Sequence, residues 1–399
     1  MVDFATRAIT VARTEPRESG LGWSVRDLDW VLLATVAALV GIGLWAIGGI
    51  TRFDVAGSPD YYVLRQGIFA FVGAIGFVGA LFVNPDLYRR HKWVVYGLMT
   101  GALALVILVG AASHGSRRWI DFGFFRFQPS EFGKVLFVVF FAAFLADRSK
   151  ELGRWRTMLA ALGLAAVPIF LVFVQPDVGT ALVYSAALAA CLFVAGTRWI
   201  QLAALGAVVA MCAVAVLWLL PNAGIHPLKQ YQVSRLTGFL HPSRDPSGST
   251  YNQNQATISV GSGGPFGRGV SGSTQVNYHY LPEHATDFAF ASYAEQRGFA
   301  GAVLLLALYL LAVWRMLRIV TVARSAFGAI LAGGVAVAFL FQVFVNVGMT
   351  IGLAPITGIP LPLVSVGGSS MIANLTAIGV LQAVCVRGKA RPPRSRRRR

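Results

Sequence analysis

The sequence predicts an all-α integral membrane protein of about ten transmembrane helices, with one large polar loop between the seventh and the eighth. Three observations predict it. Of the 399 residues, 56% are apolar and only 13% are charged, against about 25% charged in soluble domains. Apolar runs long enough to cross a bilayer recur along the whole chain, since ~30 Å of hydrocarbon at 1.5 Å per residue needs about 20 residues. The charges gather between these runs, whereas one very large soluble core would need charged faces between its apolar stripes.

The elements follow in order. A polar leader, 1–29, is too long for the basic head of a signal peptide, so the first run, 30–50, is expected to be an uncleaved anchor. Further spans are expected at 66–84, 93–112, 129–147, 157–174, 178–196 and 199–220. Then comes a segment rich in Gly, Ser, Pro, Asn and Gln, 221–297, followed by spans at 298–320, 326–350 and 367–386. The sixth and seventh runs are nearly contiguous, so the division between them is set only by the limit on span length. The membrane domain is thus 30–386, and a basic tail occupies 387–399.

An even number of spans puts both termini on one side. Arg7, Arg13, Arg17 and Arg26, then Arg89, Arg90 and Lys92, then Arg148, Lys150, Arg154 and Arg156, then Arg315, Arg318 and Arg324 all fall on that side, with the tail. By the positive-inside rule it is the cytoplasm, although Arg117, Arg118 and Arg126 lie opposite. The polar segment 221–297 is then expected outside the cell. A net charge of +17 would point to nucleic acid in a soluble protein. Here the positives sit at span ends and in the tail, so membrane lipid head groups, not nucleic acid, are the expected partners. Cys191, Cys212 and Cys385 each lie in or beside an apolar run. They indicate neither a disulfide frame nor a metal site.

Four stretches carry candidate chemistry. Gln128-Pro129-Ser130-Glu131-Phe132-Gly133-Lys134 opens the fourth span. Glu131 and Lys134, three apart, share a helix face, either as a structural ion pair or as the lining of a polar cavity. In Gln175-Pro176-Asp177-Val178-Gly179-Thr180, Asp177 either caps the sixth span or faces that cavity. In Leu281-Pro282-Glu283-His284-Ala285-Thr286-Asp287-Phe288, Asp287 is either a solvated loop acid or a general base in a partly apolar niche. Glu283 is its rival. The run 358–370, apolar yet broken by Pro and Gly, suits a tightly folded or re-entrant segment. Gly267-Arg268-Gly269-Val270-Ser271-Gly272 matches a dinucleotide fingerprint only in letters, for no strand precedes it.

Together these stretches, with Gly115-Ser116-Arg117-Arg118-Trp119-Ile120 and Gly261-Ser262-Gly263-Gly264, resemble the SEDS family (shape, elongation, division and sporulation). The resemblance covers most of the ten-span region but not the leader or the tail. It implies a peptidoglycan glycosyltransferase that polymerises lipid II, paired with a class B penicillin-binding protein that crosslinks. It implies Asp287 as the base, with Glu131, Lys134, Asp177, Glu283, Gln255, Ser365 and Ser369 shaping the substrate cavity. Arg117, Arg118 and Arg235 lie on the side of the pyrophosphate, and Lys134 is a further candidate cation. No cofactor is assigned; a divalent cation would serve the same leaving group. Asn277-Tyr278-His279-Tyr280-Leu281-Pro282 and Thr357–Ser365 read as the elongation branch rather than the division branch. The chain departs from the family pattern at Ala256, Ala285, Gln296 and Val366. On physics alone a flippase for lipid-linked precursors fits ten spans with intramembrane charges equally well, and a non-catalytic scaffold is a third reading.

Overall fold

The computed structural model describes residues 24–113, 116–222, 224, 238 and 250–389. Its long helices are α1 (Trp30–Ile50), α2 (Tyr61–Phe82), α4 (Lys92–Val109), α5 (Pro129–Asp147), α6 (Trp155–Val174), α7 (Val178–Ala195), α12 (Ala289–Val322), α13 (Ala326–Thr350) and α14 (Gly368–Lys389). A short α3 (Pro85–Arg90) leads into α4. Among the described residues these nine are long and apolar enough to cross a membrane. The remaining expected span, the seventh, is the shorter α8 (Trp199–Val214), whose helical course continues through a π-helical turn, Ala215–Leu219, and on to Asn222. The protein is an all-α integral membrane protein in its spans, as its sequence predicts.

Burial sorts the helices into centre and rim. The most apolar stretches of α5, α13 and α14 are 83%, 78% and 89% buried, whereas those of α2 and α4 are 22% buried. Phe137, Phe140, Phe141 and Phe144 of α5 are wholly buried and pack on Tyr184 of α7 and Tyr96 of α4. Apolar residues on the rim, such as Leu64, Phe71 and Leu98, are exposed, as lipid-facing side chains should be.

The two ends of the bundle are held differently. At the end of the termini, Asp29 caps α1 by accepting from Leu32 N and pairs with Arg315 of α12 through Nε at 3.0 Å and Nη2 at 2.6 Å. Gln382 of α14 closes the knot, accepting from Asp29 N and donating to Asp29 O. A buried carboxylate is tolerable only when paired in this way. Arg315 and Arg318 lie in the last turns of α12, which runs on to Val322.

At the other end, called here the polar-loop end, three features depart from expectation. The connection 111–127 forms a small antiparallel sheet, β1 (Ala111–Ser113), β2 (Ser116–Asp121) and β3 (Arg126–Phe127). Strand pairing satisfies backbone groups that would otherwise lie bare at the membrane edge. Part of the polar segment is helical: α9 (Tyr251–Ser262), α10 (Gly269–Gly272) and α11 (Thr274–Asn277). Finally, α12 begins at Ala289, nine residues before the expected span, and breaks at Gly298 (φ 67°, ψ −168°). Only glycine holds that conformation routinely, and a β-carbon there would lie 2.2 Å from Gly267 N. The span 299–322 thus carries a short outer helix, 289–297, which packs on α9. Fully buried Glu295 joins them, accepting from Ser259 Oγ at 3.1 Å and from Gln275 N at 3.0 Å.

Candidate functional site

The site is assembled at the polar-loop end from α5, α7, α13, the turn 281–288 and the irregular segment 351–367. The turn is built by Glu283, whose carbonyl accepts from Thr286 N and Phe288 N, and whose carboxylate accepts from Thr286 Oγ1 at 2.7 Å. Phe288 and Phe290 are buried, anchoring the turn in the protein. Asp287 is thereby left half-buried beside Gly358, where a β-carbon would sit 3.4 Å from its Oδ2. Gly358 has φ 72°, so its backbone both requires glycine and clears space at the carboxylate.

Asn346 fixes this arrangement. Wholly buried on α13, it donates through Nδ2 to Asp287 O at 2.8 Å and to Ile359 O at 2.7 Å. One side chain thus locks the turn to the segment 351–367. Asn346→Ala should orphan both carbonyls and cost about 1–3 kcal/mol for each left buried. Thermal unfolding in detergent checks this; an unshifted midpoint would show that the joint holds without Asn346.

Four residues earlier on α13, one turn or ~6 Å along the axis, stands Gln342. Its Oε1 accepts from Lys134 Nζ at 2.7 Å, and the same ammonium is 2.8 Å from Glu131. Glu131 and Lys134 are 2% and 7% exposed, so the pair is buried in the first turns of a membrane-spanning helix, where neither charge would persist alone. Glu131, Lys134, Gln342 and Asn374 border a small cavity among α5, α13 and α14. One face of α13 therefore connects the Asp287 turn to the buried ion pair.

Asp177 fulfils the capping reading, accepting from Thr180 N at 3.1 Å. It also lies 3.4 Å from Gln128 Nε2, at the start of α5. Two residues on, Gly179 meets Thr357 O and Ile359, its β-carbon position only 2.6 Å from that oxygen. The head of α7 thus abuts the segment that borders Asp287. Ser369 bridges Gln128 N and Arg126 O, and Ser365 Oγ accepts from Leu361 N, so both hydroxyls are spent on backbone. Gln66 of α2 binds Ser365 O and Gly367 N, and Val366 N donates to Ala285 O at 2.9 Å. The segment 358–367 is accordingly tightly folded and largely buried, held by backbone hydrogen bonds at Ile359, Leu361, Pro362, Ser365, Val366 and Gly367.

Arg118 donates to the carbonyls of Gln175 and Pro176, just before Asp177. Its charge stands near the site, already engaged with the end of α6. Gln255 is half-buried on α9. Arg235 lies outside the described residues, as does most of 223–249, and of Arg117 only the backbone is described.

The segment 26–389 matches the FtsW/RodA/SpoVE cell cycle protein family, covering every element that builds this site. The chain belongs to the SEDS family. Among its relatives is the probable peptidoglycan glycosyltransferase FtsW of Nitrosococcus halophilus, 34% identical over 373 residues, covering 91% of this chain and 94% of that one. The peptidoglycan glycosyltransferase MrdB of Escherichia coli is 35% identical over 366 residues, again covering 91% and 94%. One chain of a solved peptidoglycan synthase complex, described as coordinating polymerization and crosslinking, superposes with a TM-score of 0.77 at 29% identity, covering 91% of this chain and 99% of that one.

Within this SEDS site, Gln342, Asn346 and Asn374 are the residues that sequence reasoning missed. Their signal was faint but present: each is an amide within an apolar run, and an amide at membrane depth must find a partner.

Proposed function

We propose that the protein is a peptidoglycan glycosyltransferase that polymerises lipid II into β-1,4 glycan strands, with Asp287 as its general base. The observation that carries the base assignment is the setting of Asp287. Its carboxylate is half-buried beside a glycine, on a backbone fixed by Asn346. Such a group is restrained, reachable and partly shielded from water, as a general base should be.

The chemistry follows from the substrate. A sugar hydroxyl of the acceptor attacks the anomeric carbon of the donor as the bond to the lipid pyrophosphate breaks. Asp287 takes the hydroxyl proton, and the pyrophosphate leaves with the bonding pair. An α-linked donor gives a β-linked product, so one inverting displacement suffices and no covalent enzyme intermediate is needed. The leaving group gathers negative charge that cations must meet. Arg117, Arg118 and Arg235 are the candidates on this side. Glu131, Lys134 and Asp177 shape the polar interior beneath, and Gln255, Glu283, Ser365 and Ser369 build its walls and turns.

The reading places the protein in the bacterial plasma membrane, with the ten-span domain at 30–386, both termini cytoplasmic and the loop 221–297 outside. Its partner is a class B penicillin-binding protein, supported by the likeness to a chain from a complex that couples polymerization and crosslinking. Within the family we assign it to cell elongation and shape control, on the wording of 277–282 and 357–365. Division is the alternative branch. Protein mixed with lipid II and an elongation-type class B penicillin-binding protein should yield crosslinked glycan, and protein with lipid II alone should yield uncrosslinked glycan. Absence of glycan from both overturns the reading. Depletion in a rod-shaped host should round the cells; filamentation would assign the division branch instead.

A further inference from the structure

A second group of reactive side chains gathers at the polar-loop end, from parts of the chain far apart in sequence. Asp54 lies in the turn between α1 and α2, while His279 and His284 flank the start of the turn that presents Asp287. His284 Nε2 is 3.1 Å from both carboxylate oxygens of Asp54. His279 Nδ1 is 4.0 Å from Asp54 Oδ1, and the two imidazole rings are 5.5 Å apart. One ligating atom from each residue lies within 4.8 Å of the other two.

A single histidine would satisfy this carboxylate by hydrogen bonding. The second is harder to explain as packing. The His279 side chain is 54% exposed, so burial does not hold it there. Its backbone has φ 53°, the left-handed conformation in which the helix α11 ends, and this aims the ring across the turn. An exposed imidazole turned onto an already partnered carboxylate has the form of a ligand set.

The geometry points to a site for a divalent transition-metal ion of the zinc class, held by Asp54, His279 and His284. Two imidazole nitrogens and one carboxylate oxygen suit such an ion, whereas magnesium and calcium favour oxygen ligands throughout. Bonds of ~2.1 Å at tetrahedral angles put donor atoms about 3.4 Å apart. The separations of 3.1 and 4.0 Å from Asp54 bracket that value. Three protein ligands leave one position open. The bound ion clasps the α1–α2 turn to the turn 281–288, three residues ahead of Asp287. It is thus a brace on the loop bearing the proposed base, and binding itself does not depend on the polymerase reading.

The test uses the full chain, purified in detergent and stripped with a chelator. Titration with Co²⁺, followed by its visible absorption, and with Zn²⁺, followed by calorimetry, should each give one ion per chain. A tenfold excess of Mg²⁺ should not displace it. His279→Ala and Asp54→Asn should each weaken binding by about 100-fold or more, since even residues that only orient a ligand are worth about 10–100-fold. His279 is exposed, so its variant should unfold at the temperature of the stripped wild-type protein, which separates ligand loss from misfolding. No binding by the wild-type protein overturns the proposal, and so does binding that survives both substitutions.

Discussion

Asp287→Asn should leave the protein folded in the membrane and lower the rate of glycan formation from lipid II by about 10²–10⁴-fold, the usual share of a general base. Asparagine is close to aspartate in size and keeps the backbone carbonyl that accepts from Asn346. What it loses is basicity. Thermal unfolding should therefore change little, and lipid II binding should persist while turnover falls. Glu283→Gln is the informative comparison. The Glu283 carboxylate is exposed and accepts from Thr286 within its own turn, so its loss should loosen the turn and cost less than the loss of Asp287. If Asp287→Asn polymerises at the wild-type rate, or if Glu283→Gln is the more damaging change, the assignment of the base is wrong.

Lys134→Met should destabilise the protein by about 3–5 kcal/mol, the cost of leaving one member of a buried ion pair uncompensated. Glu131 would lose its cation, and Gln342 Oε1 its donor, in the same step. The effect should fall largely on the packing of α5 against α13. The double variant Glu131→Gln/Lys134→Met removes both charges and should recover much of the loss. Unfolding midpoints of the two single variants and the double in detergent measure the coupling. Additive losses would mean that the pair does not act as a unit. Glycan formation by the double variant then separates the two roles of the pair, since a purely structural pair is dispensable once stability returns and a cavity wall is not.

The spans were legible because a slab of fixed thickness dictates them, and the expected start of the eighth span, residue 298, falls on the break at Gly298. What lay outside the slab was less legible. The outer helix 289–297 contains Glu295, Gln296 and Arg297, and α9 has almost no apolar run, so hydropathy reads both as loop. Each is stabilised by burial against the other, with Glu295 at the joint. The α2 span begins at Tyr61 rather than at residue 66, because Arg65 and Gln66 delay the apolar signal although the helix has already started. The candidate acid, the buried pair and the cap at Asp177 could be singled out as charged residues in costly places. Their connection through Gln342 and Asn346 could not, for it depends on which face of α13 turns inward. The pairing of Asp54 with His284 spans 230 residues, and no local pattern in the chain announces it.

The central claim is that this bundle makes glycan rather than moving its precursor. The direct measurement is fluorescent lipid II incubated with the purified wild-type protein in detergent, where no second membrane face exists, and resolved on a gel. The account predicts a ladder of long strands. Unchanged lipid II from a preparation that, once placed in vesicles, carries lipid II from one leaflet to the other would contradict it.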